Sequence, residues 1–237
     1  MIYLMKIIIK NYLFVVILYI MLVSPLYSSY AQNDEIEIFD KNSNPYGKSY
    51  DEWSAEWWKW LLSIPLPDNP RLDQTGSKCD INQNEKNVWF LAQTAEGDVK
   101  RQCEIPFGKS IFIPILTGEC DYISNIDIKT EHELRECAQW GIKNSIVKAS
   151  LDDVSITENI ERVQSPIFNF TLIPNHLFSS VDPITGYTEA VLDGYYVFIE
   201  SLPPGNHTMK FSAFGIDNPI IGTTSFAYSV EYILEVN

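Results

Sequence analysis

The sequence is poor in basic residues and in histidine. Its 237 residues include 17 Lys and Arg against 31 Asp and Glu, with only 3 His, which gives a formal net charge of −14 at pH 7. Proteins that bind nucleic acid obtain most of their affinity from Lys and Arg contacts to phosphate groups. The deficit of basic residues therefore excludes DNA and RNA as expected partners.

Long hydrophobic runs are scarce as well. The longest covers residues 13–23, about half of the roughly 20 residues that a membrane-spanning helix needs. Two lysines precede this run, and Ser29-Tyr30-Ala31 follows it with small residues at the positions where a signal peptidase cuts. The sequence therefore predicts a signal peptide over residues 1–31. The mature protein is expected to be secreted or attached to the cell surface, with no stable membrane span after cleavage; a retained leader that anchors it is the alternative.

Cysteine is restricted to four residues, and no CxxC or CxxH spacing is present. Zinc sites usually rely on such spacings, so zinc is the rival rather than the preferred interpretation of these residues. An even number of cysteines in an exported chain favours disulfides. Three pairings are open, and we predict that sequence neighbours pair, Cys79 with Cys103 and Cys120 with Cys137.

Composition excludes a disordered chain, because 46% of the residues are hydrophobic, 13% are aromatic and only 20% are charged. Residues 32–45 are polar, and we expect them to form a flexible lead-in. Residues 46–237 contain no internal repeat and no low-complexity linker. They are predicted to form a single domain.

Two segments have the sequence pattern of a helix start. Ser49 and Glu52 form a capping box before a stripe of tryptophans, and Pro65 ends that helix. Thr130 and a glutamate three residues later form a second capping box. The apolar stripe that follows is expected to continue to Ile146. Two helices are therefore predicted.

Most of the remaining chain consists of short runs rich in β-branched and aromatic residues, separated by turn residues. The predicted strands cover residues 88–92, 99–105, 110–116, 147–151, 153–157, 160–172, 189–200, 207–214 and 226–236. Their even spacing predicts a mainly β fold: an antiparallel β-sandwich, immunoglobulin-like or jelly-roll-like, with two inserted α-helices.

Several strings of the sequence are distinctive. They are YGKSYDEW at 46–53, EWWKW at 56–60, VWFLA at 88–92, QSP at 164–166, DGYYVF at 193–198 and PGNHT at 204–208. With these strings the chain resembles a family of secreted, uncharacterised proteins of ammonia-oxidising archaea and some bacteria. The resemblance covers essentially all of the chain after residue 31. It implies export, paired cysteines at these positions and a β-sandwich, and it implies no known activity.

Tryptophan is concentrated at one place, since four of the six tryptophans lie within eight residues. Three of them form a helical stripe that fits a buried face. Trp58 lies about 100° around the helix axis from its neighbour in that stripe, and we expect it to stay exposed. An exposed indole beside Glu52 and Glu56 offers the aromatic face and the carboxylates that sugar or protein recognition uses. Trp58, Glu52 and Glu56 are therefore the predicted ligand-binding residues.

A secreted, glycan-directed hydrolase is the alternative function. Such an enzyme needs two carboxylates about 5 to 10 Å apart. Glu52 with Glu56, or Glu189 with Asp193, meet this need by spacing alone. The sequence has no Gly-x-Ser-x-Gly elbow and its cysteines are assigned to disulfides, so no catalytic residue is predicted.

Metal and modification sites have weaker patterns. His132 and Glu133 match the first half of a helical zinc-protease motif, but position 136 is Glu, and a helix start explains the same residues without metal. No cofactor is expected, although loop carboxylates leave room for calcium. The calcium candidates are Asp68, Asp73, Asp80, Asp121, Asp127 and Asp182. N-glycosylation sequons begin at Asn169 and Asn206.

These patterns favour a non-enzymatic, exported binding or cell-envelope module. Its expected partner is an envelope glycan or a protein. The hydrolase alternative has an acidic site that calcium could stabilise.

Overall fold

The computed structural model describes residues 36–179, 183–215 and 225–237, so the predicted signal peptide lies outside the described residues. In chain order, the helices and strands are α1 (Tyr50–Leu62), β1 (Val88–Phe90), β2 (Gly97–Ile105), β3 (Ser110–Asp121), α2 (Glu131–Gln139), β4 (Ser145–Leu151), β5 (Val154–Ser155), β6 (Glu161–Gln164), β7 (Phe168–Leu172), β8 (Gly186–Ile199), β9 (Gly205–Gly215) and β10 (Phe226–Val236). Short 3₁₀ helices lie at Pro45–Gly47, Pro70–Leu72 and Thr157–Asn159. Among the described residues, no helix is long and apolar enough to cross a membrane.

The strands of the described chain form two five-stranded sheets. The first has the order β1-β3-β8-β6, with β7 also pairing with β8, and the second has the order β2-β10-β9-β4-β5. The mainly β, sandwich-like fold with two helices is confirmed. The sheets are mixed rather than wholly antiparallel, because β1 pairs in parallel with β3 and β2 in parallel with β10.

Strand β8 is the centre of the first sheet, with apolar residues on both faces as its sequence indicates. Val197 and Ile199 face the second sheet and join the inter-sheet core. Tyr196 and Phe198 face the opposite side, where they form a second core with α1. The first sheet is therefore covered on both faces, and α1 is a third layer of the domain.

Both capping boxes are present. The carboxylate of Glu52 accepts hydrogen bonds from the Ser49 amide at 2.8 Å and its hydroxyl at 2.9 Å. Helix α2 begins in the same way after Thr130 but ends at Gln139. The expected continuation of its stripe to Ile146 is wrong, because Gly141 has φ of +83°, which turns the chain into β4. Ile146 is consequently an exposed strand residue.

Two further segments differ from the sequence-based expectation. Residues 36–39 belong to the predicted flexible lead-in, yet Ile38 bridges to Ile199 and the Phe39 amide donates to the Phe198 carbonyl at 2.9 Å. The single strand predicted over 160–172 is divided into β6 and β7. Pro166 separates them because it has no N–H to donate to a ladder.

Candidate functional site

Trp58 is buried, with 1% of its surface exposed, so its expected exposure is wrong. Its indole Nε1 donates to Thr117 Oγ1 at 3.1 Å, which holds the ring against β3. The ring lies between Trp57, at a centroid distance of 5.4 Å, and Phe178, at 6.3 Å. The segment after β7 covers the side of α1 that was predicted from its helical position to be exposed to solvent. Trp58 therefore cannot stack on a ligand.

Glu52 and Glu56 do lie together, in a groove of about 320 Å³ between α1 and the turn that joins β6 to β7. The amide and hydroxyl of Ser49 lower the pKa of Glu52 by hydrogen bonding to its carboxylate. Glu56 lies 3.0 Å from Lys59 Nζ and 3.7 Å from Lys48 Nζ. The groove is therefore a set of paired charges.

Neither carboxylate pair suits glycoside hydrolysis. Both carboxylates of the first pair already have partners, Glu52 in its capping box and Glu56 in ion pairs with two lysines, and neither contact favours the protonated form that the acid needs. Glu189 and Asp193 are four positions apart on β8, which places their Cα atoms about 14 Å apart at roughly 3.4 Å per residue. Asp193 is buried and held by Arg162, whose Nε lies 2.8 Å from its Oδ1. The geometry at these pairs does not support the hydrolase alternative.

The cysteines form the predicted bridges, Cys79 to Cys103 and Cys120 to Cys137. Bridged cysteines are typical of an oxidising compartment outside the cytosol, and they leave no thiolate for zinc. The second bridge ties α2 to the end of β3, where Gly118 allows the close approach. A Cβ at Gly118 would lie 2.6 Å from the Ala138 carbonyl oxygen.

No group of three His, Cys, Asp or Glu side chains able to hold a metal occurs within the described ranges. The Asp73 and Asp121 carboxylates already accept backbone amides in their own turns. Asp182 lies outside the described residues, so calcium stays a prediction. His132 is exposed on α2 and lies 3.6 Å from Glu136. The sequon residues Asn169 and Asn206 are both exposed.

A pocket that the sequence did not indicate lies where the two sheets meet α2. We call it the Arg71 pocket. Its volume is about 250 Å³, and it is lined by Arg71, Ala95, Glu96, Leu116, Thr117, Gly118, Trp140, Gly141, Ile142, Phe226, Ala227 and Tyr228. Three of the lining side chains are aromatic and four are aliphatic. Glu96 and Trp140 are exposed and mark its rim.

Arg71 is the unusual member of this pocket. Its Nε is buried without a hydrogen-bond partner, and none of the ion pairs among the described residues includes its guanidinium. Burial lowers the pKa of Arg71, and the nearby Tyr228 opposes that shift. An arginine nevertheless stays protonated at neutral pH. The pocket therefore contains a positive charge that the described protein does not neutralise.

The other three arginines have acceptors. Arg162 binds Asp193, and Arg135 lies 2.8 Å from Glu131. Arg101 is buried and donates to the carbonyls of Asp73, Ala92 and Arg71 and to the Tyr232 hydroxyl. Among the four arginines, only Arg71 has a buried side-chain nitrogen without an acceptor.

The backbone at Arg71 is held on two sides. Asn69 is fully buried, and its side chain donates to the Leu61 and Ile64 carbonyls at the end of α1 while accepting from the Arg71 amide at 3.1 Å. Arg101 holds the Arg71 carbonyl at 3.2 Å. These contacts fix the 3₁₀ helix that presents Arg71 to the pocket. The Asn69 contacts are local, whereas the Arg101 contact joins residues 30 positions apart, and only the tertiary structure reveals it.

Three other buried polar atoms of the described residues lack a hydrogen-bond partner, Trp89 Nε1, Gln93 Oε1 and Glu119 Oε1, and Glu119 lies on the opposite face of β3. Burial, with a smaller contribution from the charge of Asp121, raises the pKa of Glu119 well above its usual value. The residue lies on the face that packs toward α1 and away from the Arg71 pocket. It affects stability rather than the site.

Comparison with known proteins finds no matching family model and no matching curated protein. Among solved structures, the chain is similar to PbICP-C, solved in complex with falcipain-2, at 11% identity and a TM-score of 0.27. That match covers 64% of this chain and 99% of the other. A cysteine protease inhibitor from Entamoeba histolytica matches at 11% identity and a TM-score of 0.25, over 64% and 96% of the two chains. A likeness at this level supports no conclusion about function.

Proposed function

We propose that this chain is a non-enzymatic, exported binding protein and that the Arg71 pocket is its ligand-binding site. One observation carries the proposal: a protonated guanidinium lines a solvent-connected cavity and has no described partner. Arg71 is half-buried, so its guanidinium is accessible from the pocket while its Nε lies out of contact with water. An anion in the pocket would supply the acceptor that Nε lacks, through a hydrogen bond to a charged group.

The pocket lacks the groups that catalysis requires. Glu96 is the only carboxylate among its described lining residues, and hydrolysis of a glycoside uses two. The Tyr228 hydroxyl donates to the Ile115 carbonyl, and burial raises the pKa of Tyr228. That hydroxyl is therefore neither free nor readily ionised. These observations favour binding over turnover.

The test is a thermal-shift screen of the exported protein against small organic anions, neutral sugars and short peptides. A variant Arg71→Gln is compared with Lys100→Gln, which removes the same charge from an exposed lysine paired with Glu231 at 2.8 Å. We expect ligands that stabilise the wild type and the Lys100→Gln variant but not the Arg71→Gln variant. The same preparations are assayed with chromogenic glycosides. Measurable hydrolysis, or a screen in which no ligand distinguishes the two variants, would contradict the proposal.

A further inference from the structure

We infer that the ligand of the Arg71 pocket is a monocarboxylate attached to a compact aromatic or branched apolar group. This inference rests on the proposed function and names the ligand class of the same site. Two sources share this chemistry: a free organic acid, and the C-terminal residue of a peptide. Both present one carboxylate next to one apolar side group.

The charged residues of the pocket favour a ligand with a single negative charge. Arg71 is the only cation among the described lining residues, and Glu96 lies at the rim. A guanidinium offers two parallel N–H groups that match the two oxygens of a carboxylate. A phosphate dianion leaves one charge uncompensated beside Glu96, in a protein whose net charge is already −14. The balance therefore favours a carboxylate over a phosphate ester.

The walls of the pocket fit an apolar body. The Phe226 and Tyr228 rings are stacked at a centroid distance of 6.4 Å, and Trp140, with 58% of its surface exposed, also lines the pocket. Leu116 and Ile142 complete the apolar wall. Aromatic walls bind flat or branched apolar groups through ring contacts and burial of surface.

The size of the pocket limits the ligand. Its volume of about 250 Å³ is slightly below the range of roughly 300 to 1,000 Å³ that holds drug-sized ligands. One ring with a short carboxylate arm suits this space. A longer molecule has to extend out of the pocket beside the exposed Trp140. The pocket can therefore hold either a whole free acid or the last residue of a peptide.

Titration calorimetry at pH 7.5 tests the inference with phenylacetate, its neutral analogue phenylacetamide, and phenyl phosphate. We expect phenylacetate to bind the wild type and to bind Arg71→Gln about 10- to 100-fold more weakly, because a charge-assisted hydrogen bond is lost. The Lys100→Gln variant is expected to bind like the wild type. N-acetyl-Gly-Phe as the free acid, compared with its C-terminal amide, shows whether a peptide terminus is also accepted.

The folding of the variant has its own measurement. The Arg71 Nε has no hydrogen-bond partner to lose, so the melting temperature of Arg71→Gln without ligand is expected to equal that of the wild type. A loss of binding together with a lowered melting temperature would indicate damage to the fold and would count against the inference. The variant Arg71→Lys keeps the charge without the two-pronged geometry, and we expect it to bind phenylacetate at an intermediate affinity.

Two results would overturn the ligand class: equal binding of phenylacetate and phenylacetamide, or tighter binding of phenyl phosphate than of phenylacetate. If these acids fail while another compound binds in an Arg71-dependent manner, the ligand class is wrong and the proposed function stands. If no compound distinguishes the wild type from Arg71→Gln, both are wrong.

Discussion

Replacing Trp58 by alanine tests whether the face of α1 that was predicted to be exposed is in fact buried. The side chain is 1% exposed and contacts the rings of Trp57 and Phe178. Truncating a buried Trp to Ala usually costs about 3–5 kcal/mol of the free energy of unfolding. The Thr117 hydroxyl, which accepts from Trp58, keeps its contact with Tyr196 at 2.5 Å and so adds little to that cost. We expect a loss of about 4 kcal/mol.

The matched control is Trp140→Ala, because Trp140 is 58% exposed. Its expected cost is below about 1 kcal/mol, as for most surface substitutions. Urea unfolding followed by far-ultraviolet circular dichroism compares the two variants without depending on tryptophan emission. With a slope of about 2 to 3 kcal/mol per molar urea, the Trp58→Ala midpoint should fall by about 1.5 to 2 M. Trp58→Phe, which keeps a ring, should lie between the wild type and Trp58→Ala. Equal and small shifts for Trp58→Ala and Trp140→Ala would refute the burial of Trp58.

Three further predictions concern buried charged groups and a disulfide. Asp193→Asn removes the buried partner of Arg162 and should lower the free energy of unfolding by about 3 kcal/mol in urea titrations. The pKa of Glu119 is higher in the folded state than in the unfolded state. The free energy of unfolding therefore falls as pH rises from the unfolded-state pKa to the folded-state pKa. Glu119→Gln should therefore be more stable than the wild type at pH 8 and gain less at pH 4, as measured by urea midpoints at both values. Replacing Cys120 and Cys137 together by serine should cost about 3 kcal/mol and weaken ligand binding measured by calorimetry, because α2 loses its link to β3.

The start of each helix was predictable because its cause is local. Ser49 with Glu52 satisfies the first amides of α1 from within four residues of sequence, and Thr130 does the same for α2. The end of α2 was not predictable from its apolar stripe. The positive φ of Gly141 overrides the periodicity, and the residues beyond it pair with β9 instead. A pattern of apolar residues does not reveal which partner will cover them.

The candidate binding residues show the same limit. Glu52 and Glu56 were correctly placed on one helix and line one groove, since helix geometry determines their spacing. The exposure of Trp58 depended on Phe178, which lies 120 positions further along the chain and covers that side of α1. No property of the α1 sequence identifies this cover. Trp58 consequently does not form the predicted exposed surface for a sugar or a protein.

The sequence by itself determined the mainly β class, the two helices and the bridge-forming cysteines, because each follows from short-range periodicity, capping or spacing. Only the tertiary structure decided which strands run in parallel, which indole is covered, and which of the four arginines lacks a partner. The missing acceptor of Arg71 Nε depends on how Arg71, β3, β10 and the segment after α2 pack together around the pocket. These parts come together only when the chain has folded, so the pocket could not be found from the sequence.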